Sequence, residues 1–346
     1  MPSCFKSIVK VVYSDEHHRH DPPSEFVRDG MYPYSESPAR VGAILNTLRE
    51  EGCGEIIPPQ EHPLDSIRAV HDEDYLHYLE HIYPAWAEAG RPETGVIPET
   101  FASPEMSSRP GQLLRQPGFF CFDAQTPIVR HTHAAALAST HCALTAADQL
   151  LAGATAAYAL CRPPGHHAGR ASYGGYCFLN NAAVAAAHLG RRGRVAVLDI
   201  DYHHGNGTQD IFYDSGRTLF VSIHADPNRA YPFFSGYAAE VGKGDGRGFN
   251  LNYPLPAGVD DRRYLQVLDQ ALEEIGSFRP GWLVVSAGVD TCGLDPLGDF
   301  RLSVDGFRQV GRDIAALNLP TLLVQEGGYN LACIGAAVLN LVRAFE

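Results

Sequence analysis

No apolar stretch in this chain approaches the roughly 18 residues that a membrane-spanning helix needs, which excludes a helical membrane protein. The first residues carry Lys6, Lys10 and only the short Ile8-Val9 and Val11-Val12 runs. They lack the long apolar core and small-residue cleavage site of a secretory signal, so a cytoplasmic home is expected. The 8 cysteines (Cys4, Cys53, Cys121, Cys142, Cys161, Cys177, Cys292 and Cys333) contain no C-x-x-C pair and no zinc-finger spacing. Reduced thiols follow, not a disulfide framework. A basic face is missing too: 27 Lys and Arg stand against 40 Asp and Glu, a formal net charge of −13. Binding to a phosphate backbone is thereby disfavoured, whereas a cationic small substrate would be drawn to such a surface. There is no internal repeat and no low-complexity linker.

What is present is a globular composition, 346 residues with 45 % hydrophobic and 19 % charged, enough to bury a sizeable core. Near-continuous apolar runs at Ile8–Tyr13, Ala157–Leu160, Val195–Ile200, Leu219–Ile223, Trp282–Ser286 and Thr321–Val324 predict strands covered on both faces. Helical patterns alternate with them at Pro38–Glu50, His133–Ala152, Asn181–Leu189, Tyr264–Ile275, Val304–Leu317 and Ile334–Val342. That alternation predicts an α/β fold with a parallel sheet. One domain over 1–346 is expected, because the candidate site residues run from 166 to 329 across any midpoint boundary. The Pro-rich stretch Pro84–Pro117 reads as a long insertion loop, either a lid or interface or a plain surface excursion.

Two clusters stand out: Cys161-Arg162-Pro163-Pro164-Gly165-His166-His167-Ala168-Gly169 and Asp199-Ile200-Asp201-Tyr202-His203-His204-Gly205-Asn206-Gly207. Each follows an apolar run, so both fall at one rim of a parallel sheet. Asp199, Asp201 and His203 share a side by the period of two, and Asp290 follows the Trp282–Ser286 run to the same rim. Asp201, His203 and Asp290 make a two-carboxylate, one-imidazole set that leaves positions open for water and substrate. The donors fit Zn²⁺, with Fe²⁺, Co²⁺ or Mn²⁺ allowed by ligand type. His166 and His167 follow a stiff Pro-Pro-Gly segment. With Asp199 orienting one ring, a neutral imidazole there can take a proton from activated water and return it to a leaving amine. Glu326-Gly327-Gly328-Tyr329 brings a phenol to the rim, where it can stabilise a developing oxyanion. The aromatics around Tyr176 and Tyr231 are either core or the walls of a narrow tunnel.

These stretches resemble one family, the zinc-dependent arginase–deacetylase superfamily, and within it the acetylpolyamine amidohydrolases and histone deacetylase-like amidohydrolases. The resemblance spans nearly the whole chain and rests on CRPPGHHAG, GGYCFLNNAA, LDIDYHHGNGTQDIFY, SAGVD and EGGY. It implies a mostly parallel sheet of about eight strands with helices on both faces. It places zinc on Asp201, His203 and Asp290, makes His166 the partner of Asp199, and makes His167 the general base and acid. Tyr329 would polarise the scissile carbonyl, and Tyr176 and Tyr231 would line the tunnel. A K⁺ site is implied at Asp199, Asp201, His203, Ser222 and Ile223. Asn206 stands where many histone deacetylases carry an Asp beside the second tandem histidine, which makes His167 the less basic of the pair. Gly205 and Cys292 replace carboxylates that would bridge a second metal in arginases, so a mononuclear site is expected. Leu114 and Leu297 stand where polyamine-selective relatives carry acids, and Leu297 is placed in the substrate site. Glu25, Glu36, Glu93, Glu99, Glu105 and Asp123 remain as candidates to meet an ammonium group. The implied activity is hydrolysis of acetylated diamines or polyamines, with acetyl-lysine peptides as the alternative. The implied assembly is a homodimer through the insertion loop.

Overall fold

A computed structural model describes residues 8–27 and 30–346; Cys4 and Lys6 lie outside the described residues. Among the described residues the strands are, in chain order, β1 (Lys10–Val12), β2 (Glu25–Val27), β3 (Gly30–Tyr32), β4 (Glu55–Ile57), β5 (Ala156–Ala159), β6 (Val195–Asp199), β7 (Thr218–Ala225), β8 (Asn250–Leu255), β9 (Trp282–Ala287) and β10 (Thr321–Gln325). A single 8-stranded sheet runs in the order β4-β1-β5-β10-β9-β6-β7-β8. Every neighbouring pair in it is parallel. β2 and β3 form a separate antiparallel ribbon.

Period two sorts the core. In β6, Val195 and Val197 enter one apolar cluster while Ala196 and Leu198 enter the other. In β10, Leu322 and Val324 part from Leu323 in the same way. Each face is closed by helices. Ala39–Glu50, Asp261–Phe278, Gly306–Ala315 and Ile334–Arg343 cover one; Glu73–Glu88, Thr132–Leu151 and Asn181–Gly190 cover the other.

Besides the β2–β3 ribbon, the two sheet strands absent from the sequence expectation, β4 and β8, sit at the two edges. β4 is only Glu-Ile-Ile, and β8 reads Asn-Leu-Asn-Tyr-Pro-Leu, whose alternating polarity and Pro254 suit an edge, where a missing N–H costs no ladder bond. The insertion also begins later than its prolines suggest. Pro84 lies inside the helix Glu73–Glu88, which survives the lost backbone bond because Tyr75, Tyr78, Leu79 and Ile82 are buried on its inner face. Irregular chain therefore starts after Glu88, and Pro117 opens a short helical turn, Pro117–Phe120.

Because the sheet is parallel, its strands all end at one rim. The four central ones, β5, β10, β9 and β6, lead directly into the tandem-histidine loop, the Glu326–Tyr329 loop, the Asp290 loop and the Asp199–Asn206 loop.

Candidate active site

Asp201, His203 and Asp290 converge as the spacing predicts, with one donor atom from each lying within 4.8 Å of the others. His203 Nδ1 stands 3.0 Å from Asp290 Oδ2 and 3.3 Å from Asp201 Oδ1. The remaining carboxylate valences are met by backbone. Tyr202 N donates to Asp290 Oδ1 at 2.8 Å, His203 N to Asp201 Oδ1 at 2.9 Å and Gly327 N to Asp201 Oδ2 at 2.8 Å. Such close approach needs bare backbone: a Cβ on Gly288 would collide with Asp201, and one on Gly327 with both carboxylates. Both aspartates are fully buried, and among the described residues no lysine or arginine pairs with either. Burial and the charge of Asp201 push the Asp290 carboxyl up. Two buried carboxylates and one imidazole aimed at a common point suit a divalent cation.

The tandem histidines stand beside this cluster. His166 Nδ1 lies 3.0 Å from Asp199 Oδ2, and His167 Nδ1 lies 2.7 Å from Asn206 Oδ1. Burial opposes a charge on His166, but Asp201 and Asp199 outweigh it and bring that imidazole up to about 10. His167 goes the other way. Burial, with His166 and then His203 nearby, holds it well below its ordinary value. An amide oxygen only accepts, so His167 must present its proton at Nδ1 and leave Nε2 with a free lone pair. The loop from Gly174 to Cys177 closes over the pair: Gly175 has φ +54 and a Cβ there would strike the His167 ring.

Tyr329 is set by its backbone, whose N–H donates to Asp295 Oδ2 at 2.6 Å. The guanidinium of Arg40 lies 4.8 Å from its ring centroid. Burial raises its phenol well above the ordinary value, so it remains a donor. Tyr176 is 5.7 Å from Tyr329 by ring centroids and 5.3 Å from Tyr34. On the other side Tyr231 packs edge-on to His167 at 5.0 Å and 6.2 Å from His203. Its hydroxyl donates to Asp123 Oδ2 at 2.9 Å.

Comparison with known proteins places this arrangement. The histone deacetylase domain model matches residues 34–345. The chain belongs to the histone deacetylase family. Within that family it is 42% identical over 338 residues to acetylpolyamine amidohydrolase 2 of Pseudomonas aeruginosa, covering 97% of this chain and 98% of the relative. It is 41% identical to an acetylpolyamine amidohydrolase of Mycoplana ramosa, over 97% of this chain and 99% of that one. A crystal structure of acetylpolyamine aminohydrolase from Burkholderia pseudomallei superposes with a TM-score of 0.93 at 38% identity, covering 97% of this chain and 98% of that one.

Glu36 is no candidate for an ammonium group. It is fully buried, with Arg40 Nη1 donating to its Oε1 at 2.5 Å and Arg162 Nε 2.9 Å from the same oxygen. Glu93 is exposed beside Arg130. Glu99 and Leu114 line a separate depression with Trp86, Arg91 and Arg115 that shares no residue with the Asp201–His203–Asp290 cluster. Leu297 lies half-buried in the Asp290 loop, its N–H donating to Asp295 Oδ1 at 3.0 Å. Ser222 is the register partner of Asp199, and its hydroxyl lies 2.8 Å from His224 Nδ1. Residues that sequence reasoning left without a role are Arg40, Arg162 and Asp295. The Glu36/Arg40 spacing of four on a helix start was a readable pairing signal; nothing in the sequence marks Asp295 as the acceptor for Tyr329.

Proposed function

We propose that this histone deacetylase-family enzyme is a zinc-dependent amidohydrolase acting on small acetylated amines of the diamine and polyamine type, releasing free amine and acetate. The observation that carries the reading is the meeting, at one rim, of a buried three-donor cluster with a neutral histidine whose Nε2 is free. The family is zinc-dependent in general, and the relatives named as acetylpolyamine amidohydrolases support the substrate class.

Asp201, His203 and Asp290 would hold the ion, which when bound supplies a Lewis acid for the acyl oxygen and the attacking water. Iron or cobalt suits the same donors. The proton traffic belongs to the chain. His167 Nε2 accepts the proton of the attacking water and passes it to the departing nitrogen. Asn206 keeps Nδ1 protonated throughout. His166, paired with Asp199, stays positively charged and steadies the negative charge that grows on the acyl oxygen. The Tyr329 phenol donates a hydrogen bond to that oxygen. The balance is one amide and one water consumed, one amine and one carboxylic acid formed.

For the distal ammonium, Glu25 and Asp123 are the acids that flank the aromatic walls. Glu25 is itself buried: its Oε1 accepts from the Ser35 amide at 2.9 Å and hydroxyl at 2.6 Å, and the carboxylate lies against the Tyr176 phenol. Leu297 contributes only an apolar surface. K⁺ at Asp199, Asp201, His203, Ser222 and Ile223, homodimer formation through the 84–117 region and a cytoplasmic home complete the proposal. No described helix is long and apolar enough to cross a membrane, and the described cysteines are all buried and free.

A second reading, acetyl-lysine in peptides, is favoured by the family match and by the exposed Phe233 and Phe234 beside Tyr231. Turnover of acetylcadaverine, acetylputrescine, acetylspermidine and an acetyl-lysine peptide, measured side by side with zinc, cobalt or iron loaded, separates the two. The acetylated diamines should give the largest kcat/KM; a peptide turned over faster than all three would reverse the order.

A further inference from the structure

The Glu326–Tyr329 loop holds a carboxylate that the mechanism above leaves unused. Glu326 is fully buried. Its Oε2 accepts from two successive backbone amides, Gly165 N at 2.6 Å and His166 N at 3.1 Å. Its Oε1 is buried without a hydrogen-bond partner, and one of its oxygens forms a close set with a His166 ring nitrogen and Cys177 Sγ, all within 4.8 Å of one another. The backbone of the same loop is fastened elsewhere. Arg40 Nη2 donates to Glu326 O and Arg40 Nε to Gly328 O, both at 2.5 Å. The next amide, Gly327 N, donates to the metal-cluster carboxylate Asp201, and two residues further on stands Tyr329. A carboxylate in this place is costly: burial pushes Glu326 up to about 7, with His166 pulling it back. A residue needed only to fill space would not carry that penalty.

We propose that Glu326 is a positioning residue, fixing the tandem-histidine loop relative to Asp201 and Tyr329 by accepting the Gly165 and His166 backbone amides. It touches no substrate. It acts through where it sets His166 and His167: both imidazoles hang from the segment whose start it clamps, and they must meet a reacting centre defined by three other loops. A shift of about 1 Å in such a constellation costs on the order of 100-fold in rate. The requirement is for an acceptor of the right reach, which an amide oxygen also supplies.

The inference rests on the proposed roles of His166, His167 and Tyr329, so the experiment carries a control for them. Glu326→Ala, Glu326→Gln and His167→Ala are prepared as zinc-loaded full-length enzymes, and kcat, KM and zinc content are measured with the best acetylated amine. Glu326→Ala should lose kcat by about 100-fold with KM and zinc content near wild type, and Glu326→Gln should recover most of that loss. Three results overturn the proposal: kcat of Glu326→Ala within about twofold of wild type; a loss that follows zinc or folded protein; or Glu326→Gln falling as far as Glu326→Ala, which would assign the role to charge. Unchanged turnover in His167→Ala would instead remove the reading of the histidines, a failure visible whatever Glu326 does. If Glu326→Ala does not fold, Glu326→Gln and Glu326→Leu compared at matched zinc content carry the same test, since leucine fills the space and accepts nothing.

Discussion

His167 is held neutral by its surroundings, and the direction of that effect fixes a pH dependence. Burial and the neighbouring His166 and His203 disfavour the imidazolium, so the proposed base stays unprotonated below the ordinary value of 6.5. The acid limb of kcat that belongs to this group therefore lies below that value. Asn206→Asp would set a carboxylate against Nδ1, favour the imidazolium and move the limb upward by about one pH unit. A kcat–pH profile of both enzymes checks this, and a limb that stays put refutes the assignment of His167. Tyr329→Phe keeps the ring against Arg40 and Tyr176 but removes the donor. Its kcat should drop about 10²–10³-fold, as for other lost oxyanion donors, with little change in zinc content. At this scale the sequence was informative about identity and silent about support. The donors could be named because their residue types and strand-end spacing leave few other uses. Asp295 could not, since it accepts from a backbone amide 34 positions away; for Arg40 only the pairing with Glu36 was readable, its contact with the Gly328 carbonyl spanning 288 positions.

At the scale of elements, the site is only as firm as the central strands. Leu198 is fully buried, adjoins Asp199, and lies in register with Val285 of β9 and Val221 of β7. Leu198→Ala should cost about 2–5 kcal/mol of stability, read as a lower denaturant midpoint. The interior strands were legible because both their faces are apolar, which writes an unbroken hydrophobic run. The edge strands β4 and β8 were not, because an edge tolerates short, polar and proline-containing sequence. The helix Glu73–Glu88 was missed for a different reason: Tyr75, Tyr78, Leu79 and Ile82 do recur at the helical period, but Pro84 near the end of the run draws the segment into the Pro-rich stretch that follows.

The whole molecule carries a net charge of −13, which should act on encounter with a cationic substrate. kcat/KM for an acetylated diamine is expected to fall as salt rises, because screening weakens steering, while an uncharged acetamide of the same length shows little change. Equal slopes would remove any role for the global field. Removal of the ion is a second whole-molecule test. Chelated protein should lose turnover and melt at a lower temperature, since a ligand held only by the native state stabilises it by about 4 kcal/mol at a thousandfold excess over Kd; Asp290→Asn should show a much smaller shift. The parallel order of the sheet has one more consequence. The contact between Tyr202 and Asp290 spans 88 positions and depends on β6 and β9 lying side by side, so the donors cannot assemble from any short stretch of nascent chain. Long-range pairing of this kind is slow, so ion capture during refolding is expected to lag, marking the moment when distant segments have already found one another.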